Sequence, residues 1–285
     1  MTARTLLLVA LIPSLSLAQG TRPKSKGRPG GTDVELKANQ PDAPAGFDVA
    51  RPNIARGKVV PFQYESKTGG GTFRATVHVP PAYVSGKKYP VLYLLHGASG
   101  DETTWVQEIH ADAILDNLYA DKKLTPMLVV MPSMLSVSGR EQAGDSRDAK
   151  ARAAMTFGEV LLNDLIPFVE SHYPALTARG HRALAGLSMG AGTALATALA
   201  NSDKFAWVGA FSGAGRRWSE PREKLRLLWL SVGDRDGMMA GGMVAADTFL
   251  TGKEVPHSFH INSGGHEPKV WMNDLYYFTP LLFRP

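Results

Sequence analysis

The chain has 285 residues, 44% of them hydrophobic and 20% charged, the balance of a soluble globular protein with one well-filled core. Cysteine is absent, which excludes disulfides, a lipid-anchored N-terminal cysteine, thiol catalysis and thiolate metal sites. The net charge of +5 is uneven: residues 1–58 hold nine Lys/Arg against four Asp/Glu, and the rest of the chain holds twenty-two of each. The basic excess therefore reads as a solvated tail, and no nucleic-acid partner is expected.

Residues 1–18 combine Arg4, an apolar run from Leu6 to Leu17 broken by Pro13, and the small residues Ser16 and Ala18 before Gln19. This is a signal-peptide pattern. It predicts cleavage near Ala18–Gln19 and a secreted or periplasmic protein. The apolar run falls short of the roughly 20 residues that cross a bilayer, so no stable membrane insertion is expected once it is removed. Residues 19–56, rich in Pro, Gly and Lys with few large apolar side chains, read as a disordered leader. Residues 57–285 read as a single catalytic domain, without a carbohydrate-binding module.

The domain opens with two alternating segments, VVPFQYES and TFRATVHV, flanking Lys67–Gly71, which predict an antiparallel hairpin. Apolar runs without alternation follow at residues 90–95, 127–132, 181–187, 205–213 and 225–233. Such runs suit strands buried on both faces of a mostly parallel sheet. Between them, residues 111–121 and 157–173 carry apolar side chains at three-to-four spacing, the helical period. The expected fold class is α/β, a doubly wound, mostly parallel sheet with helices on both faces and an antiparallel N-terminal edge.

Gly186-Leu187-Ser188-Met189-Gly190 lies between the apolar run ending at Leu187 and the Ala-rich segment GAGTALATALA. A G-x-S-x-G sequence on a strand-to-helix turn exposes its serine as a nucleophile. The glycines remove side chains that would collide with neighbouring backbone, and the helix N-terminus favours negative charge developing beside Ser188. Around such a turn the remaining groups follow in the order acid, then histidine. The run at 225–233 leads into Gly233-Asp234-Arg235-Asp236. Asp236 lies farther along the loop, where a carboxylate can orient an imidazole, whereas Asp234 suits a brace or cap of the turn. Of the eight histidines, His266 comes late in the chain after Gly264-Gly265. It is the expected base, taking the Ser188 proton and returning it to the leaving alcohol, with activity rising as the imidazole loses its proton. An oxyanion would be met by the Met189 N–H and by an N–H of the loop His96-Gly97-Ala98-Ser99-Gly100. Ala98 is the expected donor, and His96 a brace. No cofactor motif or metal-ligand spacing is present, so neither is expected and chelators should have no effect.

The succession YPVLYLLHGASGDETTW, LLNDLIPFVESHYP, HRALAGLSMGAGTAL, LLWLSVGDRDGM and GGHEPKVW resembles the feruloyl-esterase and acetylxylan-esterase group of carbohydrate esterases. These are α/β-hydrolases related to esterase D and the mycolyltransferases. The resemblance covers roughly residues 58–285. It implies a secreted serine carboxylic-ester hydrolase that removes feruloyl or acetyl groups from plant cell-wall polysaccharide through an acyl-serine intermediate. By position, Ser188, Asp236 and His266 fall on the group's triad, and Ala98 and Met189 on its oxyanion donors. Trp271, in G-G-H-x-x-x-x-W, falls where such enzymes place an aromatic beside the substrate. Two segments expected to flank the site depart from the pattern. The stretch between FSGAG and LRLLWLSVG is short, and residues 133–155 are polar and charged, so a ferulate-sized pocket does not follow. The same triad would serve an acyltransferase, a siderophore esterase or a broad-range esterase. A non-catalytic binding protein of this fold would be expected to lack one of the three residues.

Overall fold

The computed structural model describes residues 35–284 apart from Ala82, Ser85, Ser99 and Asp145. The expected signal peptide, and the leader as far as residue 34, lie outside the described residues. Alternating side chains at the start of the domain form the hairpin β1 (Lys58–Ser66) and β2 (Gly71–Val79), paired antiparallel in the register Lys58↔Val79 to Ser66↔Gly71. The apolar runs become β3 (Val91–Leu95), β4 (Leu128–Ser136), β5 (Arg182–Leu187), β6 (Trp207–Phe211), β7 (Leu227–Gly233) and β8 (Ser258–Asn262). One eight-stranded sheet results, in the order β1-β2-β4-β3-β5-β6-β7-β8. Strands β3 to β8 run parallel, and β2 meets β4 antiparallel. This is the α/β-hydrolase fold, with the antiparallel edge at its N-terminal side.

The helices are α1 (Thr104–Gln107), α2 (Ala111–Ala120), α3 (Val137–Ala143), α4 (Arg147–Val160), α5 (Ile166–His172), α6 (Met189–Ala200), α7 (Ala240–Gly252) and α8 (Pro268–Phe278). They cover both faces of the sheet, which is why β3, β4 and β6 are buried along their whole length. In β3, Tyr93 and Leu95 point into the core beneath α4, α6 and α7 with Phe157, Leu195 and Met243. Leu92 and Leu94 point into the opposite core with Ile114, Trp271 and Phe278 of α2 and α8. The period-two pleat thus supplies two cores from one uninterrupted apolar run.

The polar residues 133–155 are more regular than their composition suggests. Strand β4 runs on to Ser136, whose hydroxyl then accepts the Gly139 N–H at 3.0 Å and caps α3. Ser146 caps α4 the same way through Ala149 at 3.2 Å. Side-chain oxygens satisfying first-turn amides are what start these helices. The helix expected over 157–173 accordingly begins ten residues earlier, and a π turn at Leu161–Leu165 joins α4 to α5. Asp164 in that turn accepts from Ser66 Oγ at 2.7 Å and the Thr68 amide at 3.1 Å, tying the hairpin down.

Of the disordered leader expected over 19–56, the described part is instead bound along the domain as a strap. The Asn39 and Gln40 amides donate to the Ile261 carbonyl at 2.9 and 3.0 Å, and the Ile261 amide donates back to Asn39 Oδ1 at 2.7 Å. Farther on, Asn117 of α2 donates to the Phe47 and Val49 carbonyls at 2.9 and 2.8 Å. Backbone hydrogen bonds and single asparagine side chains hold this segment, and neither leaves the apolar signature from which order is read in a sequence.

Candidate active site

The ends of β3, β5, β7 and β8 lie together at one edge of the sheet, and each emits one part of the site. At the end of β5 the chain turns so tightly that Ser188 takes φ 53° and ψ −117°, and α6 starts at the next residue. Its amide donates to the Phe211 carbonyl of β6 at 2.8 Å, locking the turn. Gly190 is obligatory here, since a Cβ would strike the backbone carbonyls of Leu95 and His96. A non-glycine residue at positive φ carries strain that persists only where the surroundings over-determine it.

Asp236 and His266 reach Ser188 from the next two loops. Ser188 Oγ donates to His266 Nε2 at 2.9 Å, and His266 Nδ1–H donates to Asp236 Oδ2 at 2.8 Å. The Asp236 side chain is fully buried, and its other oxygen accepts the Met239 amide at 3.1 Å. That amide fixes the carboxylate so that only one oxygen is left for the imidazole. Asp234 does what its position suggested. It accepts the Gly264 amide at 2.9 Å and pairs with Arg235 at 3.2 Å, bracing the turn that carries the base. Gly264 itself has φ +147°, a conformation L side chains rarely adopt, so the glycine pair permits the bend that returns His266 to Ser188.

The loop after β3 lies against the nucleophile: a Cβ added at Gly97 would sit 3.5 Å from Ser188 Cβ. His96 is fully buried and bridges two elements, with Nδ1–H donating to the Gly97 carbonyl at 2.6 Å and Nε2 accepting the Met134 amide at 2.9 Å. Burial pushes this imidazole down to about 4, against the pull of the Gly97 carbonyl and with the push of Arg140. A neutral ring is what this donor–acceptor pattern requires. In a trans peptide the carbonyl and the following N–H point opposite ways. With the Gly97 carbonyl turned to His96, the Ala98 N–H is turned away from it. The Met189 N–H belongs to the first turn of α6, where no intrahelical acceptor exists.

Trp271 is 9% exposed and belongs to the core beneath α8. Its ring stands edge-on to His266 at a centroid distance of 5.1 Å, so it supports the imidazole. The reason is helical register: α8 starts at Pro268, and the apolar residues Val270, Trp271, Leu275 and Phe278 form its inner stripe. Sequence reading missed Arg140 of α3. It donates to the Gly100 carbonyl at 2.8 Å and to Ser133 at 3.2 Å, and so clamps the loop after β3. Nothing in the local pattern marks an arginine forty residues away for that part. Among the described residues no group of three or more His, Asp or Glu is arranged to hold a metal ion.

A serine on a strand-to-helix turn, hydrogen-bonded to an imidazole that a buried carboxylate orients, is the nucleophile, base and acid set that serine-based ester hydrolysis requires. The Esterase family model matches residues 66–276, and the chain belongs to that family. It is 31% identical over 257 residues to an endo-1,4-beta-xylanase/feruloyl esterase of Xylanibacter ruminicola, covering 88% of this chain and 34% of that one. It is 28% identical over 193 residues to endo-1,4-beta-xylanase Y of Acetivibrio thermocellus, covering 64% of this chain and 16% of that one. The chain therefore spans about a third or less of these curated relatives. Among solved structures, a ferulic acid esterase of Anaeromyces mucronatus in complex with ferulic acid superposes with a TM-score of 0.77 at 23% identity, over 85% of this chain and 96% of that one.

Proposed function

We propose that this protein is a secreted esterase that removes feruloyl or acetyl groups from plant cell-wall polysaccharide through an acyl-serine intermediate. The observation that carries the reading is the continuous hydrogen-bonded line from Ser188 through His266 to Asp236, at 2.9 and 2.8 Å. His266 Nε2 takes the Ser188 proton as Oγ attacks the ester carbonyl, and Asp236 stabilises the imidazolium that forms. The carbonyl oxygen becomes negative between the Met189 and Ala98 N–H groups, each worth roughly 3–4 kcal/mol if lost. His266 then gives its proton to the departing alcohol oxygen. A water enters, loses a proton to the same nitrogen and attacks the acyl carbon; the bond to Oγ breaks, the acid leaves, and His266 returns the proton to Ser188.

The relatives supply the substrate class: one is named a xylanase/feruloyl esterase and one structural neighbour was solved with ferulic acid. The signal-peptide pattern of residues 1–18 suits a polymer that cannot enter a cell. The test is hydrolysis of p-nitrophenyl acetate by the wild type and by Ser188→Ala, followed by feruloylated and acetylated xylan fragments with the released acid identified. The reading predicts loss of turnover in the variant and release of ferulate or acetate by the wild type. Equal rates in the two proteins overturn the assignment of Ser188, and turnover of the small ester alone overturns the polysaccharide.

A further inference from the structure

Beneath the loop that carries His266 lies a buried polar cluster that the proposed chemistry does not use. Asn262 ends β8, Asn273 and Asp274 lie on α8, and the five residues between the two elements include His266. Asn262 Nδ2 donates to Asp274 Oδ1 at 2.8 Å, and Asn273 Nδ2 donates to Asn262 Oδ1 at 2.7 Å. The Asn262 carbonyl accepts the Asp234 amide at 2.8 Å, so the same residue touches the acid-bearing loop. Asn273 extends the cluster outward, accepting the Ala43 amide at 2.6 Å and donating to the Pro41 carbonyl at 3.0 Å.

Asp274 is fully buried; Asn262 binds its Oδ1, and Ser231 and Trp229 of β7 face the carboxylate from the strand side. Burying a carboxyl costs desolvation, and an apolar side chain of similar volume is often as stable at a buried ionic site. A leucine would thus serve the core as well. The arrangement is explained by what it holds.

We propose that Asp274 is a positioning residue for His266, closing the neck of the imidazole-bearing loop through Asn262. The start of the loop at Asn262 is then tied to α8, the helix into which the loop runs, and Trp271 supports the ring from that same helix. Misplacing a reacting group by about 1 Å can cost on the order of 10²-fold in rate.

The inference rests on the esterase reading for its kinetic test and is independent of it for a spectroscopic one. Asp274→Leu removes the bond to Asn262, and Asp274→Asn keeps an acceptor for it. Turnover of p-nitrophenyl acetate is measured together with the low-field proton resonance of His266 Nδ1–H. The Leu variant is expected to lose about tenfold or more in kcat with KM within about twofold, and its resonance to broaden or shift. The Asn variant should stay within about threefold of the wild type and keep the resonance. A folded Leu variant with unchanged kcat and resonance overturns the proposal. Should circular dichroism show that variant unfolded, Asn262→Ser is judged by the same two readouts. A wild type with the resonance but no turnover sinks the esterase reading, and the resonance alone then decides the positioning of His266.

Discussion

The indole of Trp271 stands edge-on to the imidazole of His266, with ring planes 84° apart. An aromatic edge directed at a second ring contributes about 0.5–1.5 kcal/mol beyond area burial and holds one orientation. Trp271→Ala should destabilise the fold by roughly 3–5 kcal/mol through the cavity it leaves, and should lower kcat by about tenfold with little change in KM. Trp271→Phe should keep most of both. Steady-state kinetics with thermal unfolding provides the check: a rise in KM with kcat intact would mean that Trp271 meets the substrate after all.

His96 touches no reacting atom, yet it turns the Gly97–Ala98 peptide. His96→Ala should lower kcat on the order of 10²-fold, comparable with losing one oxyanion donor, with the Ser188–His266 bond left in place. The low-field proton resonance of His266 Nδ1–H reads the triad separately. Turnover should fall with the resonance kept, and loss of the resonance together with the circular dichroism signal would mean that the variant has simply unfolded.

The buried carboxyl of Asp274 makes stability depend on pH in a particular sense. Burial raises it to about 7, so between about pH 4 and 7 the unfolded chain has released this proton while the folded chain retains it. Stability from this group is therefore present at acid pH and is lost as pH rises, by about 1.4 kcal/mol for each unit. Asp274→Asn lacks the titration. Its melting temperature should match the wild type near pH 4 and exceed it by several degrees at pH 8; a difference independent of pH would contradict the sign.

The strap covers the open edge of β8 through Asn39 and Gln40. An uncovered edge strand offers unpaired N–H and C=O groups to another chain. Removing residues 1–43 should lower the melting temperature and promote self-association, read by light scattering. A monomeric, equally stable truncation would show that the edge needs no cover.

Much of the molecule was legible because local and global signals agree. The uninterrupted apolar runs at 90–95 and 205–213 can only be strands covered on both faces, and G-L-S-M-G marks a turn that few sequences can make. The choice of Asp236 over Asp234 was open to geometry alone: the loop beyond a strand end is where a carboxylate meets an imidazole. What stayed hidden depends on single long-range hydrogen bonds. Arg140 on the Gly100 carbonyl, Asn273 on the strap, and the serine caps at Ser136 and Ser146 have no period and no apolar face. The packing of Trp271 was hidden too, because it depends on which side of α8 the residue occupies, and the motif spacing fixes only its distance from His266.

Ser188 and His266 are separated by 78 residues along the chain, and His266 and Asp236 by 30. Each arrives on its own crossover, and β8 and α8 follow the other seven strands in the chain. No fragment that stops short of these two elements holds even one complete pair with the imidazole. Ester turnover is therefore a count of finished molecules: a partly folded chain contributes nothing to the rate, however much helix and sheet it has formed. Recovery of activity during refolding should follow the slowest long-range closure, and lag behind the return of secondary structure.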